Sequence, residues 1–137
     1  MSPLKERNIV GTRVLVVDDQ PYIRKLVRMT LSIGDFTVYE ADNGMSALAM
    51  ASNIKPKIIL MDVMMPGEID GLEACLRVKA DPELADTAVI MVTARVQQAD
   101  IEVGKAAGAD AYLAKPFSPL QLIDTIDKLV AQSSRTS

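Results

Sequence analysis

Val14-Leu15-Val16-Val17-Asp18-Asp19 sets a continuous apolar run, rich in β-branched residues, directly against two carboxylates. A short run of this kind suits a strand buried on both faces of a parallel sheet, where no apolar–polar alternation is needed. Ile58-Ile59-Leu60-Met61 and Val89-Ile90-Met91-Val92 are runs of the same type, and they too stop at polar residues, Asp62 and Thr93. Phe36 to Glu40 carries polar Thr37 and Glu40 and reads as an outer strand. Ala111-Tyr112-Leu113-Ala114, followed by Lys115, completes the series by its place in the pattern. Between these runs the spacing turns helical. Ile23, Leu26, Val27, Thr30 and Leu31 share one face of a helix opened by Pro21. Leu72, Cys75 and Leu76 form a second stripe behind the capping pair Asp70 and Glu73. Ser118, Pro119 and Gln121 open a last helix whose inward stripe is Ile123, Ile126 and Val130. The segment 97–107 has only a poor stripe, from Ile101, Val103, Ala106 and Ala107, and is expected to be less firmly anchored. Strand and helix alternating throughout predict an α/β three-layer sandwich, with a five-stranded parallel sheet flanked by five helices and right-handed crossovers.

Composition narrows the chemistry. The 137 residues suffice for one ordinary domain, and 49% hydrophobic with 24% charged residues is the balance of a folded chain. Lys and Arg number 15 against 18 Asp and Glu, a net charge of −3, which argues against nucleic acid or an anionic membrane as a direct partner. A single Cys forbids an internal disulfide, and the absence of His removes His-based nucleophile pairs, His metal ligands and an internal phosphohistidine. Carboxylates, Lys, hydroxyls and backbone are what remain. No apolar stretch approaches a membrane span or a signal-peptide core, so a cytoplasmic home is expected.

The polar residues fall in one place. Asp18 and Asp19 follow the first strand, Asp62 the third, Thr93 the fourth and Lys115 the fifth, so a parallel sheet carries all of them to its carboxyl edge, where open α/β folds bind ligands. Each alone has an ordinary explanation: an Asp capping the next helix, a loop hydroxyl, a solvated Lys. Their coincidence at one edge favours a site. Carboxylates crowded together repel unless a cation relieves them, and an all-oxygen donor set selects a hard ion such as Mg²⁺. A carboxylate beside that ion can act as a nucleophile toward phosphorus, with Lys115 and Thr93 supplying charge and a hydroxyl to phosphoryl oxygens.

The motifs resemble those of the receiver domain of two-component response regulators, of the chemotaxis-regulator-like kind. They are Val14 to Asp19, Leu60-Met61-Asp62-Val63-Met64-Met65-Pro66 with Asp70-Gly71 beyond, Val92-Thr93-Ala94, Gly108-Ala109-Asp110-Ala111-Tyr112 and Lys115-Pro116-Phe117. The likeness divides the chain into an N-terminal extension 1–12, a receiver domain 13–131 and a polar tail 132–137. It implies a flavodoxin-like strand order 2-1-3-4-5. By resemblance, Asp62 is the phosphoacceptor, taking its phosphoryl group from a sensor histidine kinase or a histidine phosphotransfer protein. Asp18, Asp19, Asp62 and the backbone carbonyl of Met64 hold Mg²⁺. Thr93, Ala94 and Lys115 surround the phosphoryl group, Thr93 and Tyr112 are the switch, and the Lys115-Pro116 bond is cis. The output face is helix 97–107, strand 111–114 and helix 118–131, open to a downstream protein or to a second copy in a homodimer. Such a domain is not an enzyme beyond self-phosphorylation and slow autodephosphorylation. One feature departs from the family pattern: Pro66-Gly67-Glu68-Ile69-Asp70 holds one residue more than usual, and Gly67 is where it can be absorbed.

Other families fit less well. A flavodoxin-type electron carrier would want a hydroxyl-rich loop where Asp18-Asp19 stands, and aromatic walls in a chain only 4% aromatic. A phosphatase of the haloacid dehalogenase type expects a second Asp where this chain has Met64. An adaptor that kept the receiver fold without the phosphorylation would not need the intact acidic, hydroxyl and Lys set. No effector is expected within the few residues after Ala131, so the sequence reads either as a stand-alone receiver acting by protein contact or as a piece of a larger regulator.

Overall fold

The structure, a computed structural model, describes residues 11–94 and 98–136. Residues 1–10 of the expected extension, Gln97 at the start of the expected 97–107 helix, and Ser137 lie outside them. The elements are β1 (Thr12–Val17), α1 (Pro21–Leu31), β2 (Phe36–Ala41), α2 (Gly44–Ile54), β3 (Ile58–Asp62), α3 (Gly71–Ala80), a 3₁₀ turn Pro82–Leu84, β4 (Ala88–Thr93), α4 (Gln98–Ala106), β5 (Ala111–Ala114) and α5 (Pro119–Thr136). The strands form one parallel sheet in the order β2-β1-β3-β4-β5, as the resemblance implies.

Alternation along the buried strands feeds two cores. Leu15, Val17, Ile59, Met61, Val89 and Met91 face α2 and α3, while Val14, Val16, Ile58, Leu60, Ile90 and Val92 face α1 and α5. The helices differ from their sequence stripes in instructive ways. In α3 the buried residues are Gly71, Ala74, Cys75 and Val78, and Leu76 is 46% exposed. Small side chains let that helix lie close on the sheet, which turns Leu76 outward. In α2 the buried residues are Gly44, Ala47 and Ala51, too small to make a stripe that periodicity would find. In α5 the innermost residues are Leu122 and Ile126, with Ile123 and Val130 half-buried.

The caps behave as their residue types dictate. Ser118 and Gln121 form a reciprocal box, Gln121 N–H donating to Ser118 Oγ at 3.1 Å and Ser118 N–H to Gln121 Oε1 at 2.8 Å. Asp70 accepts from Glu73 N–H at 2.9 Å, while the Glu73 carboxylate accepts from Arg77 Nε. The backbone of α5 runs through Thr136, past the point where the polar tail was expected to begin. No helix among the described residues is long and apolar enough to cross a membrane.

Candidate functional site

Register delivers the polar residues to one edge. Val17 pairs with Met61, Asp62 with Val92 and Thr93 with Ala114, so the residues that close β1, β3, β4 and β5 stand side by side. Asp18 is held from several directions. Its N–H donates to Ala41 O at 3.1 Å, its carboxylate accepts from Gln20 N–H at 2.9 Å, and its carbonyl accepts from Arg24 Nη1 at 2.7 Å. Arg24 also donates through Nε to Glu40 on β2. Asp18 is buried and Asp19 beside it is exposed.

Asp62 is the last residue of β3 and is 5% exposed. The ladder continues one residue further, with Val63 N–H donating to Val92 O at 3.1 Å, and the chain then turns so that Met64 N–H reaches Asp62 Oδ1 at 3.3 Å. Gly71 closes this loop. Its N–H donates to Val63 O at 3.0 Å, and a Cβ there would lie 2.0 Å from the Asp62 carbonyl oxygen, so the approach requires glycine. Gly67, in the segment with the additional residue, has φ +118°, a region that side chains disfavour. Lys115 N–H donates to Thr93 O at 2.8 Å, and the Lys115-Pro116 bond is cis. Lys115 Nζ then sits 2.8 Å from Asp18 Oδ2 and 3.5 Å from Asp62 Oδ2.

Carboxylate oxygens of Asp18, Asp19 and Asp62 lie within 4.8 Å of one another. With no His in the chain and the one Cys buried elsewhere, this all-oxygen donor set fits a hard divalent cation. A cleft of about 550 Å³ opens over the group, lined by Asp19, Asp62, Met64, Thr93, Ala94 and Lys115, with Tyr22, Leu26 and Phe117 forming its apolar side. Burial, then the neighbouring Asp18 charge, push the Asp62 carboxyl up to about 6, against the pull of Lys115 and the Met64 N–H. For Lys115, burial works toward a lower pKa, but the hydrogen bond and charge of Asp18, followed by Asp62, outweigh it and raise the ammonium above its ordinary value. The site therefore holds a firmly charged cation beside a carboxyl whose ionisation is poised near neutrality.

Asp18, Asp19, Asp62, Met64, Thr93, Ala94 and Lys115 thus meet at one rim. Tyr112 stands apart from the carboxylates: its hydroxyl donates to Ile101 O of α4 at 3.0 Å, and its ring borders a cavity of about 200 Å³ that reaches Thr93 and Met64. Sequence reasoning missed Arg24 and the role of Gly71. The adjacency of Asp70-Gly71 to a strand ending in Asp62 is the signal that was there to use.

The matched family is the response regulator receiver domain, over residues 14–127. This chain belongs to that family. The chain is 40% identical over 126 residues to the transcriptional regulatory protein ResD of Bacillus subtilis, covering 92% of this chain and 51% of that protein. It is 37% identical over 115 residues to the phosphate regulon transcriptional regulatory protein PhoB of Pseudomonas aeruginosa, covering 84% and 50%. The chain spans about half the length of these curated relatives. Among solved structures, the chemotaxis protein CheY4 of Vibrio cholerae superposes with a TM-score of 0.82 at 34% identity, covering 87% of this chain and 98% of its own. A receiver domain from Methanospirillum hungatei gives 0.85 at 25% identity, covering 93% and 99%. Receiver domains are the signalling switches of two-component systems, and the acidic pocket of this one is consistent with a phosphoacceptor site.

Proposed function

We propose that this receiver domain accepts a phosphoryl group on Asp62 from the phosphohistidine of a sensor histidine kinase or a histidine phosphotransfer protein, and changes its partner-binding face in response. The observation that carries the reading is Asp62 itself: a buried carboxylate at a strand end, open to a cleft and flanked by Asp18, Thr93 and Lys115. An Asp62 carboxylate oxygen forms a bond to phosphorus as the phosphorus–nitrogen bond to the donor imidazole breaks, and the imidazole leaves with the bonding pair. Asp18, Asp19, Asp62 and the Met64 carbonyl would hold Mg²⁺, which supplies neutralising charge to phosphoryl oxygens when bound. Lys115 takes one of those oxygens with its ammonium and Thr93 another with its hydroxyl, while Ala94 leaves room for the group. Asp62 is consumed once per transfer, so the domain is a switch rather than an enzyme with external turnover.

Phosphorylation adds negative charge at the edge shared by β3, β4 and β5. Drawing Thr93 toward it opens space for Tyr112 to turn from α4, which biases α4 between pre-existing positions. The output surface is then α4, β5 and α5, where Val103 and Leu120 are exposed apolar residues suited to a downstream protein or a second copy of the chain. The net charge of −3 favours such protein partners over direct contact with nucleic acid, and phosphotransfer chemistry of this type fits a cytoplasmic setting. The test is incubation with Mg²⁺ and a small acyl phosphate donor. Wild-type protein gains one acid-labile phosphate and Asp62→Asn gains none. Labelling of Asp62→Asn to the wild-type level would overturn the assignment. Unchanged phosphorylation-dependent partner binding in Tyr112→Ala would remove Tyr112 from the switch.

A further inference from the structure

The last turn of α4 contains a glycine, Gly104, at a buried position facing Tyr112. Glycine is, after proline, the residue least favourable within a helix, and the apolar stripe of α4 is a poor one. The space beside it accounts for its presence. A Cβ on Gly104 would lie 1.5 Å from the Tyr112 hydroxyl oxygen, 2.4 Å from Cζ and 2.7 Å from Cε2. The hydroxyl occupies that notch while it donates to Ile101 O at 3.0 Å. Any side chain at position 104 and the present position of the Tyr112 ring exclude one another. The Tyr112 ring also borders the cavity of about 200 Å³ lined by Val63, Met64, Leu72, Thr93, Asp100 and Val103, so a ring displaced from α4 has adjoining space on the side of Thr93.

We infer that Gly104 is the positioning residue of the switch: by leaving a notch in α4 it seats the Tyr112 hydroxyl on Ile101 and so sets how much of the unphosphorylated protein is held away from the phosphate-ready arrangement. The inference rests on Asp62 as phosphoacceptor and Tyr112 as switch, and it assigns the resting end of that switch to a residue that touches neither phosphate nor metal. Linkage fixes the sign. If phosphoryl binding favours the displaced ring, displacing the ring by other means favours phosphoryl binding to the same degree.

The experiment uses the full chain as wild type, Gly104→Ala, Tyr112→Ala and the double variant, with Mg²⁺ and fluoroberyllate as the phosphoryl probe. Affinity is measured by calorimetry, and the Tyr112 ring is followed by fluorine resonance after 3-fluorotyrosine incorporation. Gly104→Ala is expected to bind fluoroberyllate about five- to tenfold more tightly, the change in equilibrium that follows from one lost hydrogen bond in the competing state. Its Tyr112 resonance moves, without ligand, toward the position that wild type reaches with fluoroberyllate. In the Tyr112→Ala background the same substitution leaves affinity within about twofold, as for uncoupled sites. A gain that persists without the Tyr112 ring marks simple stiffening of α4 and overturns the proposal, as does an unchanged or weakened affinity in Gly104→Ala. Folded wild-type protein that ignores fluoroberyllate overturns the phosphoacceptor reading first, and the seat falls with it.

Discussion

Asp62→Asn should make the protein more stable at neutral pH in the presence of a chelator. The Asp62 carboxyl moves from 3.8 to about 6 on folding, first through burial and then through the Asp18 charge. A folded pKa above the unfolded one means that the folded state keeps a proton that the unfolded state has lost. As pH rises from 3.8 toward 6, ionising Asp62 therefore becomes progressively more costly to the folded state, and above 6 the full cost is present. At about 1.4 kcal/mol for each pH unit of displacement, the cost reaches about 3 kcal/mol. Asn keeps an acceptor for the Met64 N–H and carries no charge to bury. Urea unfolding followed by circular dichroism in EDTA should give Asp62→Asn an advantage approaching 3 kcal/mol at pH ~7.5, shrinking through the acid range to nothing near pH ~3.5. Saturating Mg²⁺ should abolish the advantage, because the ion stabilises the wild-type carboxylate. An advantage of the same size at every pH, or a destabilised Asp62→Asn at neutral pH, would refute the reasoning.

Lys115→Met removes the ammonium 2.8 Å from Asp18 and leaves buried carboxylates facing each other. A loss of about 3–5 kcal/mol in urea unfolding at neutral pH is expected, with the deficit narrowing as acid protonates Asp62. Gly71→Ala places a methyl group against the Asp62 carbonyl, a backbone atom that cannot swing aside. It should cost at least about 2 kcal/mol and weaken fluoroberyllate binding, because the strand end that carries Asp62 must shift. Ser118→Ala opens the box at the start of α5. It should cost about 1 kcal/mol while phosphate uptake from a small donor stays intact.

The chemical edge of this molecule is legible in the sequence because a polar residue directly after a buried parallel strand has one place to go. Asp18, Asp62, Thr93 and Lys115 each obey that constraint, so neither side-chain contacts nor distances are needed to bring them together. Strand order is a different matter. No local residue pattern states that β1 lies between β2 and β3, and that arrangement came from family likeness. Arg24 is hidden in the sequence for the same reason: off the apolar face of α1 it reads as a solvated cation, and only β2 at the edge of the sheet puts Glu40 beside it. Stripe counting also fails where helices pack through small residues, as α2 does at Ala47 and Ala51. The poor stripe of α4 is the one visible trace of Gly104, since a glycine in a helix leaves a gap whose purpose depends on a ring from another strand.

The chain enters the sheet at Thr12, on the amino side of β1, and α5 begins beyond the carboxyl end of β5 and runs back. Eighteen residues at about 1.5 Å each carry its far end about 27 Å from where it started. Both ends of the described polypeptide consequently emerge at the pole remote from Asp62. A fluorophore attached at Gly11 or Thr136, the ends of the described residues, leaves the mouth of the cleft unobstructed, and news of what happens there can reach it only through the body of the domain.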